Sequence, residues 1–176
     1  HETERQLAQH SQAFSLIASA PGIHDITARL PLNGALLQYA IYQPEVLSES
    51  QEEGLYLAAY VLHADGRISG EKLISMSELT PRLEAFRRGL SGQTLDPKDA
   101  QSLYATLISP ILEAPGELTH LFISPDGPLN LIPFEALQDA EGTPFIETVS
   151  LSYLSTGRDL MRLSLDEEFE LSPPLV

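Results

Sequence analysis

Residues 118–163 read LTHLFISPDGPLNLIPFEALQDAEGTPFIETVSLSYLSTGRDLMRL. Leu118 to Ser124 is an apolar run of strand length, closed by Pro125-Asp126-Gly127, a turn that needs small or φ-permissive residues. Leu129, Leu131, Ile132 and Phe134 read as buried anchors. Pro133 ends a short strand there and opens a helical turn from Phe134 to Leu137. Gln138 to Gly142 is a polar loop. Phe145 to Glu147 and Val149 to Leu154 are strand-like, and Ser155 or Thr156 caps a helix running from Thr156 to Leu165.

Upstream, Asp96-Pro97 starts a helix: Asp96 accepts from the first free amides, Pro97 suits the first turn and Asp99 complements the dipole. Its apolar face runs from Ala100 through Leu103, Tyr104 and Leu107 to Leu112, and Pro110 predicts a kink or an early end. Thr80-Pro81 opens another helix with Leu83, Phe86 and Leu90, stopping at Gly92. Leu36 to Tyr42 is strand-forming. Leu55 to His63, Asp65-Gly66 and Ile68 to Ser75 read as an antiparallel hairpin with Leu73 turned inward. Glu45 to Gly54 is an acidic loop, and Glu2 to Ser19 is an amphipathic helix (Leu7, Ser11, Phe14, Ile17, Ala18) ended by Pro21-Gly22. Strands separated by amphipathic helices imply helices packed on a sheet, an α/β or α+β class.

The 176 residues carry 10 Lys+Arg against 25 Asp+Glu, a net charge of −15. Two lysines in such a chain argue against nucleic-acid contact, which needs basic clusters. No apolar run approaches the ~18 residues of a membrane span. With no cysteine there is no disulfide framework, thiolate metal site or cysteine nucleophile in the chain. A cytoplasmic location is expected. The N-terminus, His1-Glu2-Thr3-Glu4, lacks a signal-peptide pattern and an initiating Met, and reads as processed or cut from something longer.

No catalytic set assembles from spacing. Ser69-Gly70-Glu71-Lys72 matches S-x-x-K, but that chemistry needs a helix, and on a strand residues three apart face opposite ways. The five histidines are scattered without metal-ligand spacing. His24-Asp25 reads as a solvated loop pair, and His120 as a partly buried structural histidine. Two pleats separate His120 from Ser124, roughly 13 Å, which rules out a His120–Ser124–Asp126 triad. No cofactor or metal site is expected.

The 118–163 stretch resembles the first half of the CHAT domain, a caspase-like domain related to separases and often attached to tetratricopeptide repeats. The residues that carry the resemblance are Ser124-Pro-Asp-Gly127, Leu129, Ile132-Pro-Phe-Glu-Ala-Leu137, Gly142, Phe145-Ile-Glu147, Tyr153-Leu-Ser155 and Arg158-Asp-Leu160. The hairpin around Tyr56 to Gly66 and the helix from Leu103 to Leu112 agree more loosely, so the resemblance extends over roughly residues 26–176. It implies an α/β fold, a caspase-like sheet flanked by helices with an antiparallel edge hairpin, present as its N-terminal part. The implied layout is a leading helix over 1–22, read as the end of an upstream helical region, the CHAT-like part over 23–165 and an acidic, Pro-containing linker over 166–176. Asp126, Gly127, Pro133, Phe134, Glu135, Leu137, Ser155 and Arg158 form its structural motif, with Glu135 a partner for backbone amides and Arg158 a bidentate carboxylate clamp.

Family members resemble caspases, in which a Cys–His dyad cleaves peptide bonds. In the family layout the His lies in an A-T-H-G-like strand end and the Cys in an S-A-C-E-like one, both after the matching stretch, so no catalytic residue is carried over to this chain. The resemblance thus implies the non-catalytic N-terminal part of a cysteine protease. Its partners would be the C-terminal catalytic half, a protein substrate and a tetratricopeptide-repeat region. The strand at Leu118–Ile123 is then expected to lie in a sheet that the catalytic half completes, leaving an apolar edge when isolated. The alternatives are a pseudo-enzyme interaction module and, more remotely, a hydrolase using Ser69 and Lys72.

Overall fold

The computed structural model describes residues 22–44, 54–92, 95–112 and 118–161. The expected leading helix, the acidic loop over 45–53 and the linker over 166–176 lie outside them. The chain is mixed α/β, with one five-stranded mixed sheet flanked by helices, consistent with a caspase-like α/β fold.

In chain order the elements are α1 (Ile23–Thr27), β1 (Gly34–Tyr42), β2 (Tyr56–His63), β3 (Ile68–Ser75), α2 (Met76–Ser91), α3 (Pro97–Leu107), β4 (His120–Ser124) and β5 (Ser150–Tyr153). Short 3₁₀ turns at Gly127–Leu131, Phe134–Ala136 and Phe145–Glu147 connect β4 to β5. The sheet order is β3-β2-β1-β4-β5. β2 and β3 form the expected antiparallel hairpin, closed by Gly66 N–H donating to the His63 carbonyl and His63 N–H donating to the Arg67 carbonyl. β1, β4 and β5 run parallel, with Leu37 opposite Ile123 and Ile123 opposite Tyr153.

Alternation along the strands divides the core in two. Ala35, Leu37 and Tyr39, Leu57, Ala59 and Val61, and Leu121 and Ile123 face α2 and α3, which answer with Leu79, Leu83 and Phe86, and with Ala100, Leu103, Tyr104 and Leu107. The connection between β4 and β5 adds Leu129, Phe134, Leu137 and Phe145 to the same cluster. The Tyr39 hydroxyl, buried here, donates to the Leu107 carbonyl at 2.9 Å, satisfying what would otherwise be an expensive buried group. On the other face a smaller cluster joins Leu30, Leu36, Leu62, Phe122, Leu154 and Leu160.

Several expectations are corrected. α2 begins at Met76, directly after β3, because Ser75 accepts from Glu78 N–H as N-cap; Pro81 lies inside the helix instead of opening it. The donor that Pro81 lacks would have served the carbonyl of Ser77, an exposed residue in the first turn. α3 starts at Asp96-Pro97 as expected and ends early, at Leu107, three residues before Pro110. Residues 127–131 and 145–147 form 3₁₀ turns, not strands, and Ile132 is the extended residue that follows the first. The three-residue repeat of such a turn buries Leu129 together with Ile132 and turns Leu131 outward, 56% exposed, so Leu131 is no anchor. The strand at Leu118–Ile123 is not an open edge: β4 is paired on both sides within this chain, and the edge on that side of the sheet is β5.

Candidate functional site

The structural motif gathers at the carboxyl ends of the three parallel strands, where open α/β sheets present their sites. After β4 the chain turns at Pro125-Asp126-Gly127. Asp126 Oδ2 reaches across to accept from Ile41 N–H at the end of β1, at 2.8 Å. Gly127 has φ +52°, and a Cβ there would lie 2.6 Å from Ile41 Cδ1. The glycine therefore answers two demands, a left-handed backbone and a close approach to β1. The Asp–Gly pair bolts the turn after β4 onto β1.

Pro133 precedes the next 3₁₀ turn and Phe134 enters the core beneath it, its ring 5.6 Å from that of Tyr39. Tyr153, at the end of β5, closes the arrangement. Its hydroxyl accepts from Phe134 N–H at 2.9 Å and donates to Glu135 Oε2 at 2.6 Å. Partial burial, reinforced by the carboxylate that accepts its proton, pushes the Tyr153 phenol well above its usual range. Leu137 is fully buried, and its carbonyl takes Phe145 N–H at 2.8 Å.

Beyond β5, the Ser155 carbonyl accepts from the buried Ser124 hydroxyl at 3.2 Å. Asp159 Oδ2 collects the N–H groups of Ser155 and Thr156 at 2.8 and 3.0 Å, while Thr156 Oγ1 accepts from Arg158 N–H. This is the reciprocal capping arrangement that T-x-x-D encodes, and residues 159–161 are helical.

Asp126, Gly127, Phe134, Glu135 and Ser155 make contacts that join the ends of β1, β4 and β5, while Glu135 and Arg158 make other contacts than those expected. Glu135 accepts from the Tyr153 hydroxyl, which β5 brings over the turn, and not from backbone amides. Arg158 is exposed, and no carboxylate among the described residues clamps its guanidinium; its backbone N–H joins the cap instead. The reach of Tyr153 and the double acceptance by Asp159 were not read from sequence. T-x-x-D was a usable signal for the second; nothing local signals the first.

The other candidates fall elsewhere. Ser69 pairs with Val61 and Lys72 with Ala58, residues on opposite faces of the sheet, and the Lys72 ammonium sits 3.6 Å above the Tyr56 ring. That geometry excludes activation of Ser69 by Lys72. His24 and Asp25 are exposed on α1, where Asp25 accepts from Gly22 N–H. His120, partly buried, stacks on Phe122 and shares a 2.9 Å hydrogen bond with Ser152, a β5 neighbour that no one-dimensional pattern reveals. At the opposite end of the sheet a cleft of about 500 Å³ is lined by His63, Arg67, Ser69, Glu71 and Ile111. Arg67 is paired there with Asp65 in the hairpin turn. No helix among the described residues is long and apolar enough to cross a membrane.

The motif's chemistry is thus mechanical: donors and acceptors are spent on joining strand ends. No curated protein matches the chain. Residues 97–176 match the CHAT domain family, a stretch that starts at α3 and takes in the whole strand-end motif. Over those residues the chain is similar to the CHAT domain family, consistent with a portion of such a domain.

Proposed function

We propose that this chain is the non-catalytic scaffold of a caspase-like cysteine protease, with the Cys–His dyad on polypeptide that continues the domain. The observation that carries the reading is a CHAT portion containing no cysteine. A thiolate mechanism then needs its nucleophile from outside these residues. The strand-end knot supports the same reading. It fixes β5 in place while β5's outer edge has no partner strand among the described residues, so the next strand of the sheet has a rigid template. In this role the chain meets the catalytic half along β5, and the assembled enzyme takes a protein substrate. A tetratricopeptide-repeat region would be its upstream companion.

The test is the reading frame and its product. We expect the frame to encode a His-Gly and a Cys-containing segment after Val176, and the assembled protein to cleave peptides with loss of activity on thiol alkylation. A frame without those segments, or cleavage indifferent to alkylation, overturns the reading. The second reading, an interaction module without hydrolysis, is favoured by one observation: the motif's polar side chains are turned inward on the chain's own backbone and side chains. A frame lacking the dyad segments selects it.

A further inference from the structure

The two ends of the sheet use their polar groups differently. In the strand-end motif Asp126, Glu135, Tyr153 and Asp159 are all taken up by the chain itself. At the other end a cleft of about 500 Å³, the size of an ordinary small-molecule site, opens between β3 and the turn that follows α3. On β3, Ser69 and Glu71 lie opposite Val61 and Ala59, so both project from the helical face of the sheet. Two residues of strand separate them by about 7 Å. His63, opposite Ala35 on β1, joins them on that face. The turn after α3 and the approach to β4 contribute an apolar side: Ile111, Leu112 and Leu118.

Ser69 and Glu71 are exposed, and neither side chain has a hydrogen bond or ion pair among the described residues. The neighbouring cations are committed elsewhere. Arg67 is engaged by the Asp65 carboxylate through both Nε and its main-chain N–H. Lys72 projects from the other face of the sheet, over the Tyr56 ring. The charge this cleft offers a ligand is therefore the Glu71 carboxylate. An anion would meet that carboxylate and the field of a chain carrying −15, which favours cations. A wholly apolar molecule would strip water from Glu71 and give nothing back. The lining suits a molecule with a cationic donor at one end and hydrocarbon at the other. We propose that this cleft binds a small apolar primary amine, its ammonium on Glu71 and the Ser69 hydroxyl and its hydrocarbon against Ile111 and Leu112. The site takes nothing from β5 and is separate from the proposed scaffold role.

Pentylamine, pentanol and pentanoate share a hydrocarbon chain and differ in the head group, so the three probes isolate the charge. In NMR titrations of the 1–176 chain, pentylamine is expected to shift the amides of Ser69, Glu71 and Ile111 saturably. It should bind about tenfold more tightly than pentanol or pentanoate, the difference one charge-assisted hydrogen bond makes. Glu71→Gln keeps the shape of an exposed side chain and should weaken pentylamine about tenfold while leaving pentanol unchanged. Ser69→Phe, which fills the cleft from an exposed strand position, should abolish the saturable shifts. Equal affinity for the three probes, shifts confined to other parts of the chain, no saturable shift, or pentylamine binding unaltered in Glu71→Gln would each overturn the proposal.

Discussion

The two edges of the sheet are built on opposite plans. β3 is eight residues long, carries Glu71 and Lys72 in succession, and slips register against β2 between Leu57 and Ala58. Charges and bulges are how edge strands refuse strangers. β5 is four residues, Ser150-Leu151-Ser152-Tyr153, uncharged and in unbroken register with β4. Its brevity limits casual pairing, but no charge bars a matching strand. It is held from behind, by Tyr153 on the Phe134–Glu135 turn and by Leu154 N–H on the Ile123 carbonyl at 2.8 Å. In the proposed scaffold role the hairpin edge would end the sheet and the parallel edge would be braced for extension. This asymmetry suits a scaffold completed on one side only.

If β5 is braced from behind, removing the brace should be costly. Phe134→Ala empties a fully buried site between Tyr39 and Tyr153 and is expected to destabilise the chain by about 3–5 kcal/mol in urea unfolding. A loss under about 1 kcal/mol, the range of surface sites, would mean the turn does not carry the parallel edge. Next in size is Asp126→Ala, which orphans Ile41 N–H and should cost about 1–3 kcal/mol. Asp126→Asn keeps an acceptor oxygen and should recover most of that loss. Equal losses in both variants would indicate that the carboxylate's charge, not its acceptance, matters.

How much of this was legible in the sequence differs between the two sides. The hairpin was readable because its signals are local: a near-continuous apolar run, Leu55 to His63, closed by Asp65-Gly66. The start of α3 was readable because Asp96-Pro97 is a complete cap. The start of α2 was missed because β3 runs into the helix without a loop between them, and Pro81 is a stronger-looking signal than the true cap, Ser75. The turns after β4 were half read. Apolar content was visible in Leu129–Ile132, but a 3₁₀ repeat and a short strand bury different members of it, and Leu131 tells them apart only in three dimensions. The motif residues were found by resemblance, yet the Tyr153–Glu135 and Asp126–Ile41 contacts join residues 18 and 85 positions apart, a separation that no local pattern encodes.

Alkali tests the brace from another direction. Burial raises the Tyr39 phenol well above its usual value, so below about pH 10 its stabilising contribution is complete. Above that, the unfolded chain releases the proton while folded Tyr39 keeps it. Stability should then fall by up to about 1.4 kcal/mol per pH unit for this group, until its folded pKa is reached. Tyr153 shifts the same way but is 43% exposed, so solvent screening makes its share smaller. Urea melts between about pH 9 and 11.5 should show a shallower alkaline decline in Tyr39→Phe and a lesser change in Tyr153→Phe. An unchanged slope in Tyr39→Phe would show that its hydroxyl is not protected in the folded chain.

The smallest effects on stability are the sharpest test of the two edges. Lys72→Ala gives up its position over the Tyr56 ring, an exposed contact worth about 0.5 kcal/mol. Ser150→Lys adds a charge at an exposed site and should change stability by no more than about 0.5 kcal/mol. Association should separate them. Without Lys72 and Glu71 the β3 edge loses its charges, so Glu71→Ser/Lys72→Ala should self-associate in sedimentation experiments where the parent chain does not. Ser150→Lys should leave the isolated chain's behaviour alone and weaken its capture of the downstream half, because it gives β5 the kind of guard that β3 already has. Self-association of both variants, or unaltered capture by Ser150→Lys, would erase the distinction between a closed edge and an edge left open for the rest of the domain.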